Sequence, residues 1–292
     1  MRTSFVAFSV VCVAVVLTLS ACRRDAAPAD GCPVVTVSIE PLRYLTEQLA
    51  AGRFRVVTMV PRGSSPENYE PSPQQLVDLA DSRAYFRVGT LGFERTWMAK
   101  FVDNAPDLKV YDTSAGIAPV HSGHRHDGKA VDDTDPHTWM SPENVRLIAR
   151  HICQALCELD SADAPLYRRR LDSLDCRIDS VDSVVRHELA ALRHRTFLTY
   201  HPALGHFARD YGLRQLSVES EGREPSPVQL RRLVRKCRSA QVKVVFVQEG
   251  LSGTAARQVA REIGARVVTI NPLAYDWPAE ITGIARHLSD EP

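Results

Sequence analysis

Apolar and polar positions along the chain follow two periods that alternate from one segment to the next. Short runs rich in Val, Ile and Phe have the length and composition of buried strands. The segments between them repeat apolar residues at three- and four-residue steps, as helices do. The predicted strands are 34–39, 55–60, 84–88, 108–111, 196–200, 215–218, 242–247 and 266–270. The predicted helices are 42–51, 74–81, 93–102, 142–158, 203–211, 227–239, 254–263 and 278–288. Such alternation predicts an α/β fold with mostly parallel sheets flanked by helices.

The segment 164–192 differs from the others because its apolar stripe continues without a helix breaker. Pro165 lies where the start of a helix tolerates proline. A helix of this length is roughly 40 Å long at 1.5 Å per residue, which is too long for a crossover within one sheet. We therefore predict two lobes, 33–163 and 193–292, joined by one long backbone helix at 164–192. The alternative is a long surface helix on a single domain.

The N-terminus has the features of an export signal. A basic start precedes the apolar run 5–19, which closes on Leu-Ser-Ala before Cys22. This ending resembles a bacterial lipobox, in which Cys22 becomes the lipidated N-terminus after residues 1–21 are removed. The alternative is an ordinary secretory signal with a chance cysteine. Residues 22–32 are then expected to form a flexible tether.

Charge and cysteine content exclude some classes of partner and site. The formal net charge is +1, and Lys and Arg are scattered without a basic block, which argues against a nucleic-acid partner. We expect a monomer that contacts the membrane only through its N-terminal lipid. Apart from Cys12 in the leader and the proposed lipid site Cys22, five cysteines remain without a C-x-x-C pair, so a structural zinc knuckle is not expected. They are interpreted as small buried residues, with room for one or two disulfides: Cys32, Cys153, Cys157, Cys176 and Cys237.

Side chains able to bind metal are concentrated in four loops near strand ends, where open α/β sheets bind ligands. The loop 63–71 carries two carboxylates, and Asp135-Pro136-His137 precedes a helix. His201 ends a strand, with His206 in the following helix, and Asp276 follows the last strand. A single histidine at a strand end is more often a hydrogen-bonded core group than a ligand. Two imidazoles and two carboxylates from both lobes together predict one transition-metal site in an interlobe cleft.

These segments resemble the metal-binding receptors of bacterial ABC transporters for zinc and manganese. The resemblance covers nearly everything after the tether, including the loop Pro-x-Gly-x-x-Pro-x-x-Tyr-Glu-Pro and the segment Asp-Pro-His-x-Trp. It implies His137, His201 and Asp276 as ligands. Aligned on Tyr-Glu-Pro, the first ligand position falls on Glu67, where zinc members usually have histidine.

The resemblance further implies a function and a location. The chain would be an extracytoplasmic receptor, periplasmic or at the cell surface, that captures Zn²⁺ and delivers it to a membrane permease for uptake. The carboxylate at Glu67 leaves Mn²⁺ as the alternative metal. We expect no enzymatic activity.

The loop 119–135 bears on the choice of metal because it carries His121, His124 and His126. It resembles the histidine-rich loop of zinc members, and we interpret it as an accessory element that collects zinc loosely. The alternative is a polar surface loop without a metal role.

Two other classes of function compete with a transport receptor. A metal-dependent hydrolase could use the same ligands with an open position, but the chain has neither an H-E-x-x-H nor a G-x-S-x-G motif. An adhesin of the same fold would hold metal only structurally. Turnover of esters or peptides with added metal would identify a hydrolase, and a neighbouring permease gene would favour uptake over adhesion.

Overall fold

The computed structural model describes residues 31–121, 134–219 and 225–290. Within them the chain forms two four-stranded sheets in which all strand pairs are parallel. The first sheet has the order β2-β1-β3-β4 and the second the order β6-β5-β7-β8. The strands are β1 (Val34–Val37), β2 (Arg55–Thr58), β3 (Ser82–Arg87), β4 (Lys109–Asp112), β5 (Thr196–Thr199), β6 (Arg214–Ser217), β7 (Val244–Gln248) and β8 (Arg266–Ile270). The predicted α/β fold with mostly parallel sheets is confirmed.

The two sheets share one topology, and this topology positions the loops that carry candidate metal ligands. In each lobe the strand order reverses between the first and the third strand of the sheet. The carboxyl ends of parallel strands meet at one sheet edge, and ligands bind in the crevice at such a reversal. Loops that follow β2, β5 and β8 therefore open into the space between the lobes.

Helices cover the sheets and include the long predicted helix. They are α1 (Glu40–Ala50), α2 (Pro73–Ala80), α3 (Gly92–Asn104), α4 (Pro142–Leu159), α5 (Ala164–Leu189), α6 (Gly205–Asp210), α7 (Pro227–Ser239), α8 (Thr254–Ile263) and α9 (Trp277–Ser289). A short 3₁₀ turn, Thr138–Met140, precedes α4. Among the described residues, no helix combines the length and the apolar character that a bilayer crossing requires.

The helix α5 links the sheets and packs along both lobes. Its buried stripe includes Tyr167, Ile178 and Val185. It packs against α1 and α4 of the first lobe and against α9 of the second. The helix is therefore not a free strut, because its apolar face is covered along its length by both lobes.

One apolar core continues from the first lobe into the second. The cluster that contains Leu42 and Phe86 of the first lobe also contains Phe207, Trp277 and Ile284 of the second. A second, smaller cluster fills the far side of the second sheet around Val245 and Val259. The lobes therefore share buried surface beneath the cleft that separates their loops.

The five cysteines that lie among the described residues are all free thiols. Cys153 and Cys237 are buried, and burial raises the pKa of the Cys237 thiol to about 11. Both thiols are thus protonated at neutral pH and act as small apolar core residues, as expected for buried cysteines.

Candidate metal centre

Three side chains from separate loops converge in the cleft between the lobes. Glu67, His137 and His201 each offer one ligand atom, and these atoms lie within 4.8 Å of one another. A metal about 2.1 Å from each ligand atom holds such atoms at most about 4.2 Å apart. The three groups therefore stand at or near coordinating separation, in a cleft with a volume of about 1820 Å³.

The loop that carries Glu67 is held by the N-terminus of α3. The Phe93 backbone N–H donates to the Pro66 carbonyl at 3.2 Å. Gly92 lies so close that a Cβ placed there would come within 2.1 Å of the Glu67 carbonyl oxygen. The Tyr69 ring also packs edge-on against Phe93, with ring centroids 6.1 Å apart. Although the Glu67 side chain is exposed, its backbone is fixed by a helix start that only glycine accommodates.

His137 is buried and is oriented by the acidic residue two positions before it. Its Nδ1–H donates to Asp135 Oδ1 at 2.7 Å, and its backbone N–H donates to the same oxygen at 2.9 Å. Burial lowers the pKa of His137, but the Asp135 carboxylate and Glu67 more than offset this effect, so the pKa is raised. Burial likewise raises the pKa of Asp135, yet His137 and His206 hold it below its ordinary value. Asp135 is therefore ionised, and Nε2 is the His137 nitrogen left to bind metal.

His201 follows β5 and reaches the same point from the second lobe. Its ring centroid lies 5.1 Å from that of His137, with the planes at 72°. Its Nδ1–H donates to Glu219 Oε2 at 3.0 Å, which leaves Nε2 toward the cluster. The two imidazoles thus face one another across the lobe boundary, each held on its Nδ1 side by a carboxylate.

His206 has a different environment although it lies only five residues after His201. It is completely buried, and its Nδ1 accepts from Asn144 Nδ2 at 3.0 Å while its Nε2–H donates to the Asp135 carbonyl at 3.1 Å. Burial lowers its pKa. Both ring nitrogens are engaged away from the cluster, so His206 is a neutral link between the lobes that supports the Asp135 turn.

The structure does not bring Asp276 to the three converging residues. Its carboxylate caps α9 by accepting from the Ala279 backbone N–H at 3.1 Å. The residue is exposed and lies on the wall of the same cleft. In this structure the Asp276 carboxylate therefore serves as a helix cap and is not one of the three groups that converge.

The remaining predicted residues lie at or beyond the edge of the described chain. His121 is exposed on the cleft rim, where it forms an antiparallel bridge with Thr134. The bridge brings together the two ends of the predicted accessory loop. His124, His126 and the predicted lipidation site Cys22 lie outside the described residues.

Sequence reasoning missed Asp135 and Glu219, the two carboxylates that hold the histidines. Asp135 could have been found from its spacing, because an Asp two residues before a histidine can accept from that residue's backbone N–H. Glu219 gave no such signal, because its position beside His201 depends on the parallel register of β5 and β6, which the sequence alone does not specify.

Comparison with known proteins gives a consistent assignment. Residues 35–282 match the family described as the periplasmic component A of the zinc-uptake complex, ZnuA. A candidate metal-binding protein of Treponema pallidum (strain Nichols) is 31% identical over 254 residues, which cover 82% of this chain and 79% of that protein. The high-affinity zinc uptake system protein ZnuA of Bacillus subtilis (strain 168) is 25% identical over 253 residues, which cover 82% of this chain and 78% of that protein.

A solved structure extends the similarity to the whole fold. The crystal structure of a ZnuA superposes with a TM-score of 0.83 at 33% sequence identity, covering 89% of this chain and 99% of its own. The match spans both lobes and the helix that joins them. From the two parallel sheets, the cleft between them and the family match over residues 35–282, the chain belongs to the ZnuA family of periplasmic zinc-uptake components.

Proposed function

We propose that this protein captures a divalent transition metal, zinc, outside the cytoplasm and delivers it to the membrane permease of an ABC transporter. The observation that carries the proposal is the convergence of Glu67, His137 and His201 from two lobes on one point of the cleft. Imidazole and carboxylate are ligands that zinc favours, and neither lobe alone supplies all three. The ZnuA family consists of solute receptors rather than enzymes, so the metal is cargo.

Direct titration tests the site. Replacing His137 or His201 by Ala should weaken zinc binding about 100-fold or more, roughly 2.7 kcal/mol, in a competition titration against a chelator of known affinity. His187, which is exposed on α5 outside the cleft, provides the matched control, and H187A should leave the affinity unchanged. Unaltered affinity in both cleft variants would refute the proposed site.

Delivery to the permease is tested in cells that lack this gene. Their zinc accumulation should fall below that of the parent cells, and the intact gene should restore it.

Asp276 is proposed as the fourth ligand, recruited when metal enters. Asp276→Asn retains a capping oxygen for α9 but removes the negative charge, so it separates the two roles of the residue. We expect D276N to weaken zinc binding about tenfold or more, roughly 1.4 kcal/mol, with unchanged thermal stability of the metal-free protein. Equal zinc affinity in D276N would show that three protein ligands suffice.

The loop between His121 and Thr134 is proposed to collect zinc at the mouth of the cleft. Its anchored ends lie on the cleft rim, which supports this role. Imidazoles supplied by a single loop lose conformational entropy when they bind metal, so their affinity should be lower than that of the three converging residues, which come from two lobes. Deleting His121 to His126 should reduce the number of zinc ions bound per protein in calorimetry without weakening the tightest site.

The mature protein is further proposed to be a monomer attached to the membrane by lipid on Cys22. The short apolar run and the Leu-Ser-Ala-Cys ending of the leader support this proposal. Cys22→Ala should release the protein from the membrane fraction, and mass spectrometry of the wild-type N-terminus should find the lipid. Light scattering of the protein without its leader should give the mass of one chain.

A further inference from the structure

The two histidines of the centre are held by carboxylates in the same way, one on each lobe. His137 Nδ1 lies 2.7 Å from Asp135, and His201 Nδ1 lies 3.0 Å from Glu219. An ionised carboxylate can only accept a hydrogen bond, so each imidazole must carry its proton on Nδ1. The bare Nε2 of each ring is then the nitrogen that faces the cleft.

The pairing of His201 with Glu219 follows from the register of the second sheet. Strands β5 and β6 are parallel, with Thr196 opposite Arg214 and Thr199 opposite Ser217. The ladder continues past the strand ends, because the Glu219 N–H donates to the Tyr200 carbonyl at 3.0 Å. The same offset of 18 residues relates His201 to Glu219, so their side chains leave neighbouring strands at equivalent positions.

Glu219 is placed to act on the metal through His201. The two side chains are only 17% and 15% exposed, so solvent competes little for the hydrogen bond between them. His201 lies two residues after the end of β5, whereas His137 immediately precedes the 3₁₀ turn Thr138–Met140. Among the described residues, Glu219 is the group that forms a side-chain hydrogen bond to the His201 ring.

We infer that Glu219 is a positioning residue for zinc capture, which fixes the His201 imidazole with Nε2 directed at the cleft before the metal arrives. This inference rests on the proposed function of the site. A carboxylate behind a metal-bound histidine sets its tautomer and ring orientation, and losing such a partner typically costs about 10- to 100-fold in metal affinity. Glu219 would thereby prepare the ligand of the second lobe as Asp135 prepares that of the first.

The experiment compares Glu219→Ala and Glu219→Gln with the wild type. A glutamine oxygen can still accept from Nδ1–H, whereas alanine cannot. In the metal-free protein labelled with ¹⁵N-histidine, NMR should show His201 as the Nδ1–H tautomer in wild type and E219Q and as a mixture in E219A. Zinc competition titrations should show a 10- to 100-fold loss for E219A and at most a severalfold loss for E219Q.

Glu249→Gln provides the matched control on the same cleft wall. Glu249 accepts from Asn271 Nδ2 at 2.9 Å and has no hydrogen bond to a histidine among the described residues. E249Q should bind zinc with an affinity within about twofold of the wild type. Comparing it with the Glu219 variants then distinguishes the loss of the His201 hydrogen bond from the loss of one negative charge on the cleft wall. Circular dichroism melting of each variant verifies that it is folded.

Each result decides the inference. The inference is wrong if E219A keeps the His201 tautomer and the zinc affinity of the wild type. It is also wrong if E219A and E219Q lose equal affinity, because Glu219 would then act through its negative charge, either as a direct ligand or at a distance. A loss in E249Q as large as that in E219A would also overturn it. If wild type binds zinc no more tightly than H137A and H201A, the proposed function fails instead, and the tautomer measurement on the metal-free protein still tests the role of Glu219.

Discussion

At the scale of single residues, the hydrogen-bond partners of each histidine decide whether its ring can bind metal. His137 and His201 each have one ring nitrogen bound by a carboxylate and the other directed into the cleft. His206 uses both nitrogens inside the protein, on Asn144 and on the Asp135 carbonyl. A ring with a free Nε2 can bind metal, whereas a ring with two partners serves packing and stability.

The first residue-scale prediction concerns the choice of metal at Glu67. Replacing this carboxylate by His should favour zinc over manganese, because manganese prefers oxygen ligands and zinc accepts imidazole readily. We expect the ratio of the manganese Kd to the zinc Kd to rise at least about tenfold, or 1.4 kcal/mol, in competition calorimetry with both metals. Glu70→His, on the same loop but outside the cluster, is the control and should leave the ratio unchanged. An unchanged ratio in E67H would contradict the assignment of Glu67 as a ligand.

The second residue-scale prediction follows from the lowered pKa of His206. In the unfolded chain this histidine takes up a proton near pH 6.5, but in the folded protein burial delays protonation to lower pH. The unfolded state therefore binds more protons below about pH 6.5, and the free energy of unfolding should decrease as the pH falls. Urea denaturation of the metal-free protein between pH 7.5 and 5.5 should show this decrease relative to His206→Gln, which cannot titrate.

The comparison with H206Q cancels the other titrating groups near this site. His137 has a raised pKa, so its contribution runs in the opposite direction, with stability lost as the pH rises through its folded value. That contribution is common to both proteins. Parallel curves for wild type and H206Q would show that His206 does not contribute to the pH dependence.

At the scale of secondary structure, the start of α3 is the element that holds the Glu67 loop. Leu91 precedes the helix without a side-chain cap, and the Pro66 carbonyl accepts from the Phe93 N–H. A loop is more mobile than the elements that flank it unless its backbone is tied down. Here a ligand of the proposed site is fixed through main-chain contacts with one helix end.

The element-scale prediction is that Gly92→Ala weakens zinc binding. The added Cβ would meet the Glu67 carbonyl at 2.1 Å, so the loop must shift and move the carboxylate. We expect a loss of about tenfold in zinc affinity, or 1.4 kcal/mol, measured by competition titration. Gly283→Ala in α9 is the control because its Cβ has open space. It should keep the affinity and stabilise the helix by about 0.5–1 kcal/mol, and equal affinities in both variants would contradict this account of the loop.

At the scale of the whole molecule, two tryptophans join the lobes below the cleft. Trp139 Nε1–H donates to the Pro272 carbonyl of the second lobe, and Trp277 Nε1–H donates back to the Trp139 carbonyl, both at 2.7 Å. Tyr275 adds a bond to Glu47 at 2.6 Å and lies under the Arg43 guanidinium at 4.3 Å. These contacts, buried at the two tryptophans and half-buried at Tyr275, join the two lobes below the cleft.

The whole-molecule prediction is that the metal-free protein unfolds in a single transition and that Trp277→Phe destabilises it as a unit. Phenylalanine removes the donor and leaves the buried Trp139 carbonyl without a partner, which costs about 1–3 kcal/mol. Urea denaturation followed by circular dichroism should show the lower midpoint. Trp97→Phe, a half-buried site on α3, should change the unfolding free energy by less than about 0.5 kcal/mol. Two separate transitions would show that the lobes fold independently.

The sequence by itself determined the order and type of the elements and the kinds of side chain in the loops that follow them. Strand and helix periods depend on neighbours within a few residues, so the strands of both sheets and the start of the long helix at Ala164 could be predicted. The proline-rich loop around Glu67 and the Asp-Pro-His turn were visible for the same reason. What the sequence could not give is distance, because separations between loops depend on strand register and on the packing of two lobes.

Tertiary structure alone decided which of these side chains meet. It placed Asp276 as a helix cap on the cleft wall rather than beside Glu67, since the capping bond satisfies the exposed N-terminus of α9. It put Glu219 next to His201 through the parallel register of β5 and β6. It also joined the lobes through Trp139 and Trp277, residues 138 positions apart. These contacts are non-local, so no period or motif in the chain specifies them, and they arise only when both lobes pack on a shared core.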